Sequence, residues 1–248
     1  MNLWKLVSLS LCLLSPFLTQ GFLLRPQSYR RLQIREASAL PKNETNCVVF
    51  FTGGSNAMSH TIYSDFFDSL NHNNISVYIP CFNYRHIPYL TRILHKNYKK
   101  VIMVGHSSGC TTMLNQCMNQ SHINSVVLMD PVNTKIAMKE TFFSIPFIRK
   151  ILFMHAEKSY KISRRPFGLP FIPFFRIKKE ELKGDKIDKV VEVTSPEHGH
   201  SDILNPYYSN IMHFTRITVG HTNRSHDFLR SYHNRLSKNI YHFMEDWD

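Results

Sequence analysis

The chain has 248 residues, 43% of them hydrophobic and 12% aromatic, and a formal net charge of +12. That composition supplies one large core and excludes a low-complexity or intrinsically disordered chain. With Lys5 and the net four of residues 22–42 set aside, the rest of the excess charge is local, with eleven Lys or Arg against five Asp or Glu over residues 150–190, and no nucleic-acid motif accompanies it, so no nucleic-acid partner is expected.

Residues 1–21 have the pattern of a signal peptide. Lys5 gives a positive start, Leu6 to Leu18 is apolar but broken by Pro16, and Thr19-Gln20-Gly21 offers a cleavage site. The apolar run is short for a membrane span. Residues 22–42 follow with Arg25, Arg30, Arg31, Arg35 and Lys42 against the single acid Glu36. This basic segment reads either as transit-like, in the manner of two-part plastid presequences, or as a disordered linker. Entry into the secretory pathway is expected, with a plastid, the ER or the exterior as the end point. Sequons at Asn43, Asn74, Asn119 and Asn223 would permit glycosylation there. The folded domain is expected over 43–248.

From residue 46 onward, short apolar runs alternate with helical patterns. Cys47 to Phe51 predicts a buried strand ended by Thr52-Gly53-Gly54, followed by a helix from about His60 to Leu70. Ile75 to Ile79 predicts the next strand, Tyr89 to His95 a helix, and Val101 to Val104 a third strand. A helical pattern follows at Met113, Leu114, Cys117 and Met118, then strands at Val126 to Met129, Ile151 to Met154 and Val190 to Val193. Leu229, Tyr232, Leu236, Ile240, Phe243 and Trp247 recur at spacings of three and four and predict a long amphipathic helix. Continuous apolar strands separated by helices imply an α/β protein with a mostly parallel central sheet flanked by helices.

In such sheets reactive groups gather beyond the carboxyl ends of the strands. Gly105-His106-Ser107-Ser108-Gly109 follows the third strand directly and opens a helix, the context of a nucleophile elbow. Gly105 and Gly109 suit the close strand-to-helix approach, and Ser107 is the nucleophile. A serine needs a base and the base an orienting acid, in the chain order Ser, acid, His for the α/β-hydrolase fold. Asp130, at the end of its strand, is the leading acid, and Glu157, just past the next strand, is its rival. His200 is the leading base, followed by Ser201 to Leu204 as an expected helix N-terminus, with His198 as the alternate. His106 is expected to line the pocket. The oxyanion donors are expected to be the Ser108 and Gly54 amides. The cysteines have no metal-type spacing, and neither a metal nor a cofactor is expected.

Between two strands, residues 164–176 combine Arg164, Arg165 and Arg176 with three prolines and Phe167, Leu169, Phe171, Ile172, Phe174 and Phe175. The prolines exclude a regular helix there. The stretch reads as a loop packed on the core, a wall for a lipophilic ligand, or a peripheral membrane contact, and residues 156–188 as a candidate lid.

Four pieces resemble the chlorophyllase group of α/β-hydrolases, itself similar to platelet-activating-factor acetylhydrolase-like esterases. They are Val101 to Gly109, Leu128-Met129-Asp130-Pro131-Val132, Gly199-His200-Ser201-Asp202-Ile203-Leu204, and Phe51-Thr52-Gly53-Gly54. Two departures stand out. Ser108-Gly109-Cys110 replaces the group's common Arg-Gly-Gly, and Thr52 replaces a His. The resemblance implies metal-free serine hydrolysis of an ester of a lipophilic alcohol, such as release of phytol from chlorophyll. Phospholipid or acylglycerol hydrolysis is the second reading, and a non-catalytic lipid- or partner-binding protein a third of another class.

Overall fold

Six apolar runs pair into one all-parallel sheet: β1 (Asn46–Phe51), β2 (Ile75–Tyr78), β3 (Val101–His106), β4 (Ser125–Met129), β5 (Lys150–Ala156) and β6 (Lys189–Ser195), in the order β2-β1-β3-β4-β5-β6. The structure is a computed structural model and describes residues 46–56, 58–80, 86–118, 120–132, 145–159, 187–214 and 225–246. The readings of residues 1–42 and 164–176, and most of the candidate lid, lie outside these residues.

The inner strands are largely apolar because both faces are covered, whereas the edge strand β6 carries Lys189, Glu192 and Thr194 at half-buried positions. On one face Val48, Phe50, Ile102, Val104, Val127, Met129, Leu152 and Met154 form a core with α1 (Ser64–His72) and α5 (His226–Glu245). On the other, Cys47, Val49, Phe51, Val101, Met103, Leu128 and Phe153 pack on α2 (Ile87–Asn97) and α3 (Gly109–Cys117). Period-two alternation along each strand produces this three-layer arrangement. Each large side chain buried in it, such as Phe66 or Leu70, contributes roughly 1.5–3 kcal/mol. Cys47, Cys110 and Cys117 are free and buried, and burial raises all three thiols, so they serve as packing groups.

The element order places the site. The chain leaves β1 toward β2 on one side, then returns to lay β3 on the other, pairing Phe51 with Gly105. This reversal opens a crevice beyond the carboxyl ends of β1 and β3. Thr52 to Gly54 and Ser107 stand there side by side.

Two local expectations are corrected. The single helix expected over 60–70 is a short 3₁₀ turn, His60–Tyr63, followed by α1 from Ser64. The Ser59 hydroxyl accepts the Thr61 N–H at 3.4 Å and starts the turn. The helix expected from Ser201 is a run of turns, and α4 (Pro206–Phe214) begins only at Pro206. Here the Asp202 carboxylate accepts the Gly199 N–H at 2.8 Å and the Ser209 hydroxyl at 3.2 Å, curling the chain back. Asn205 caps α4 through the Tyr208 N–H at 3.2 Å, and Pro206 is suited to the first helical position. Among the described residues no helix is long and apolar enough to cross a membrane.

Several histidines are held as neutral rings, His233 and His106 by full burial and His95 by partial burial. His233 donates from Nε2 to the Asp202 carbonyl at 2.9 Å, and burial lowers it from 6.5 to about 4. His95 falls to about 4 through burial and then through His122 beside it, and burial holds His106 well below its ordinary value. The unfolded chain takes up these protons near 6.5 while the folded chain refuses them, so stability is lost as pH falls from 6.5 toward about 4. The urea midpoint is expected to drop between pH 7.5 and pH 5. His233→Gln, which keeps a donor for Asp202, should flatten that slope by up to about 1.4 kcal/mol per pH unit. An unchanged slope in this variant would assign the pH dependence to other groups.

Candidate active site

At the end of β3 the chain turns so sharply into α3 that Ser107 adopts φ 57°, a conformation non-glycine residues rarely take. The Ser107 N–H donates to the Met129 carbonyl at 3.0 Å, and its carbonyl accepts the Cys110 N–H at 3.1 Å and the Val132 N–H at 3.3 Å. The flanking glycines are dictated by backbone proximity. A Cβ on Gly105 would lie 2.7 Å from the Cys110 Cα, and one on Gly109 would lie 2.3 Å from the Thr52 carbonyl oxygen.

The structure brings Ser107, His200 and Asp130 together. His200 Nε2 lies 2.9 Å from Ser107 Oγ. On the other side of the ring, Nδ1 is 3.6 Å from Asp130 Oδ2, longer than a hydrogen bond. Such contacts commonly tighten once a substrate is bound. A proton on Nδ1 facing the carboxylate leaves Nε2 free to accept the Ser107 hydroxyl proton.

Asp130 is 6% exposed, has φ 41°, and is fixed from both oxygens. Oδ1 accepts the Ala156 N–H at 2.8 Å and Oδ2 accepts the Ser159 hydroxyl at 3.1 Å. Its own N–H donates to the Met154 carbonyl at 2.9 Å, so an acid carried by β4 is anchored at the end of β5. Glu157, the rival acid, is exposed on the turn after β5 while the adjacent Ala156 amide serves Asp130. His198 is turned into α5. It stacks between Phe228 and Tyr232, with centroids 4.5 and 3.9 Å away, and its Nδ1 faces Arg235 at 3.2 Å.

Gly54 has φ 62° and is exposed on a helical turn, Gly53–Asn56, that opens directly after β1. Both ends of that loop are tied. The Thr52 hydroxyl donates to the Met58 carbonyl at 2.9 Å, the Met58 N–H to the Gly53 carbonyl at 3.2 Å, and the Gly53 N–H to the Tyr63 hydroxyl at 3.0 Å. Thr52 thus has a structural use at the position where the resembling group carries His. Ser108 stands at the N-cap of α3, where backbone donors and the positive end of the helix dipole converge.

His106 corrects the expectation that it lines the pocket. It is 3% exposed, its ring stacks on His200 at 4.7 Å, and Nδ1 meets the Tyr63 hydroxyl at 2.9 Å. Tyr63 and Ser159 carry no signal in the sequence that marks them as neighbours of the site. Asp202 could have been found, because it lies within the Gly-His-x-Asp piece, where its carboxylate shapes the loop that presents His200.

Among the described residues no group of three or more His, Cys, Asp or Glu side chains is arranged to hold a metal ion. No protein-family model matches the chain, and no curated protein matches it either.

Proposed function

We propose that the chain is a serine carboxylic-ester hydrolase of the α/β-hydrolase fold. The observation that carries this reading is the 2.9 Å contact between Ser107 Oγ and His200 Nε2, made by a serine in a left-handed backbone conformation at a strand-to-helix turn. The all-parallel sheet and the chain order Ser107, Asp130, His200 support the fold assignment.

In this reading Ser107 Oγ attacks the ester carbonyl carbon as its proton passes to His200 Nε2. Asp130 holds the ring and steadies the imidazolium that forms. The Ser108 and Gly54 amides receive the negative oxygen of the tetrahedral intermediate. Collapse breaks the bond to the alcohol oxygen, which takes the proton from His200. Water then releases the acyl group from Ser107 by the same route.

The substrate we propose is an ester of a lipophilic alcohol, with the phytyl ester of chlorophyll as the leading case on the resemblance of the Asp-Pro-Val and Gly-His-x-Asp pieces. Detergent-dispersed chlorophyll a, a triacylglycerol and a phosphatidylcholine should be offered in parallel to the full chain. Phytol release from the first alone is the expected result. Fatty-acid release from the others would make the protein a lipase or phospholipid esterase. No turnover of any, together with no labelling of Ser107 by a fluorophosphonate, would leave a non-catalytic lipid- or partner-binding protein.

A further inference from the structure

Between the loop that carries Gly54 and the ring of His200 lies a short buried chain of polar groups outside the reacting set. Tyr63 is fully buried and His106 is 3% exposed. The Gly53 N–H donates to the Tyr63 hydroxyl at 3.0 Å, that hydroxyl lies 2.9 Å from His106 Nδ1, and the His106 ring stacks on His200 with centroids 4.7 Å apart and planes at 28°.

The proton positions follow from the donor inventory. A backbone N–H only donates, so the Tyr63 oxygen is the acceptor from Gly53. Its own hydrogen goes to His106 Nδ1, since its other neighbour, the Met58 sulfur at 3.9 Å, is a weak acceptor. His106 therefore carries its proton on Nε2. Tyr63 in turn is held by aromatic packing, edge-on to Phe50 at 5.2 Å and stacked on Phe67 at 5.9 Å. The bridge is thus anchored in the core formed by β1 and α1.

We propose that Tyr63 and His106 are positioning residues that lock the oxyanion turn and the His200 ring into one rigid unit, with His106 fixed as the Nε2–H tautomer. This rests on the hydrolase reading above. The unit has a chemical use. When Ser107 gives up its proton, His200 becomes an imidazolium, and a neutral ring beneath it offers a polarisable face without repulsion. Burial keeps His106 neutral, and a positive charge on His200 opposes its protonation further. A rigid turn also keeps the Gly54 amide aimed where the oxyanion forms, which is where preorganisation is worth most.

The test uses a fluorophosphonate, whose reaction with a serine needs the base and the oxyanion donors but no particular substrate. Labelling of the parent chain and of Ser107→Ala judges the hydrolase reading by itself. With the parent labelled at Ser107, Tyr63→Phe is expected to lower kinact by roughly 10-fold with KI within about twofold, since placement and not binding is disturbed. His106→Asn keeps an acceptor for Tyr63 but loses most of the stacking face, and should fall between the parent and His106→Ala. Imidazole nitrogen NMR of the parent should show His106 as the Nε2–H tautomer, and Tyr63→Phe should mix the tautomers. A folded Tyr63→Phe labelled at the parent's rate, or a parent His106 protonated on Nδ1, overturns the proposal and leaves the hydrolase reading intact. If Tyr63→Phe does not fold, the ordering of the two His106 variants decides in its place.

Discussion

Ser107→Ala is expected to lower ester turnover by about 10⁴-fold or more while leaving the protein folded. The side chain bonds to His200 at 2.9 Å, and it belongs to a partly exposed residue outside both cores. Alanine needs the same unusual backbone angle as serine, so the strain of the elbow is unchanged. The urea midpoint should therefore move by no more than the equivalent of about 0.5 kcal/mol. His200→Ala should cost a similar factor in turnover. Because the base has no task without the nucleophile, the double variant should be no slower than either single one. Costs that multiply would mean that the two residues do not act as a unit, and a Ser107→Ala protein that still turns over ester would end the hydrolase reading.

The strands were legible because a parallel sheet covered on both sides needs apolar residues at nearly every position, and such runs stand out in the chain. Val101 to Val104 and Ile151 to Met154 sit within β3 and β5, which extend beyond them to His106 and Ala156. Ser107, Asp130 and His200 could be picked out because each follows a strand, and the sheet brings strand ends together. The limit came where side chains rather than elements meet. Tyr63 reaches His106 across 43 residues and Ser159 reaches Asp130 across 29, and no local pattern encodes either pairing. Ser201 to Leu204 carries the look of a helix start, yet the Asp202 carboxylate turns back to Gly199 instead of capping forward. His106 departs from expectation for a related reason. As the last residue of β3 it alternates onto the face of Ile102 and Val104, where Tyr63 is packed, and its ring is buried there.

The least tolerant position in the elbow is expected to be Gly109, which reacts with nothing. A Cβ there would stand 2.3 Å from the Thr52 carbonyl oxygen, 2.6 Å from that of Phe51 and 2.9 Å from the Thr52 carbonyl carbon. All three are backbone atoms at the end of β1, so no rotamer change can relieve the contact. Helix α3 must instead retreat from β1, which breaks the packing of Cys110, Met113 and Leu114 on the sheet. Overpacking a core side chain costs about 1–3 kcal/mol, and a clash with fixed backbone should exceed that, at about 4 kcal/mol for Gly109→Ala. That is a large part of the roughly 5–15 kcal/mol that holds a domain of this size together. Ser108→Ala, one residue earlier and partly exposed, should shift the urea midpoint little. The same retreat would carry the Ser108 amide away from the Gly54 turn, so whatever fraction of Gly109→Ala remains folded should also label slowly with a fluorophosphonate. A midpoint for Gly109→Ala equal to that of the parent would mean that α3 and β1 do not approach as closely as described. The donor pair assigned to the oxyanion would then lose its geometric basis along with the glycine.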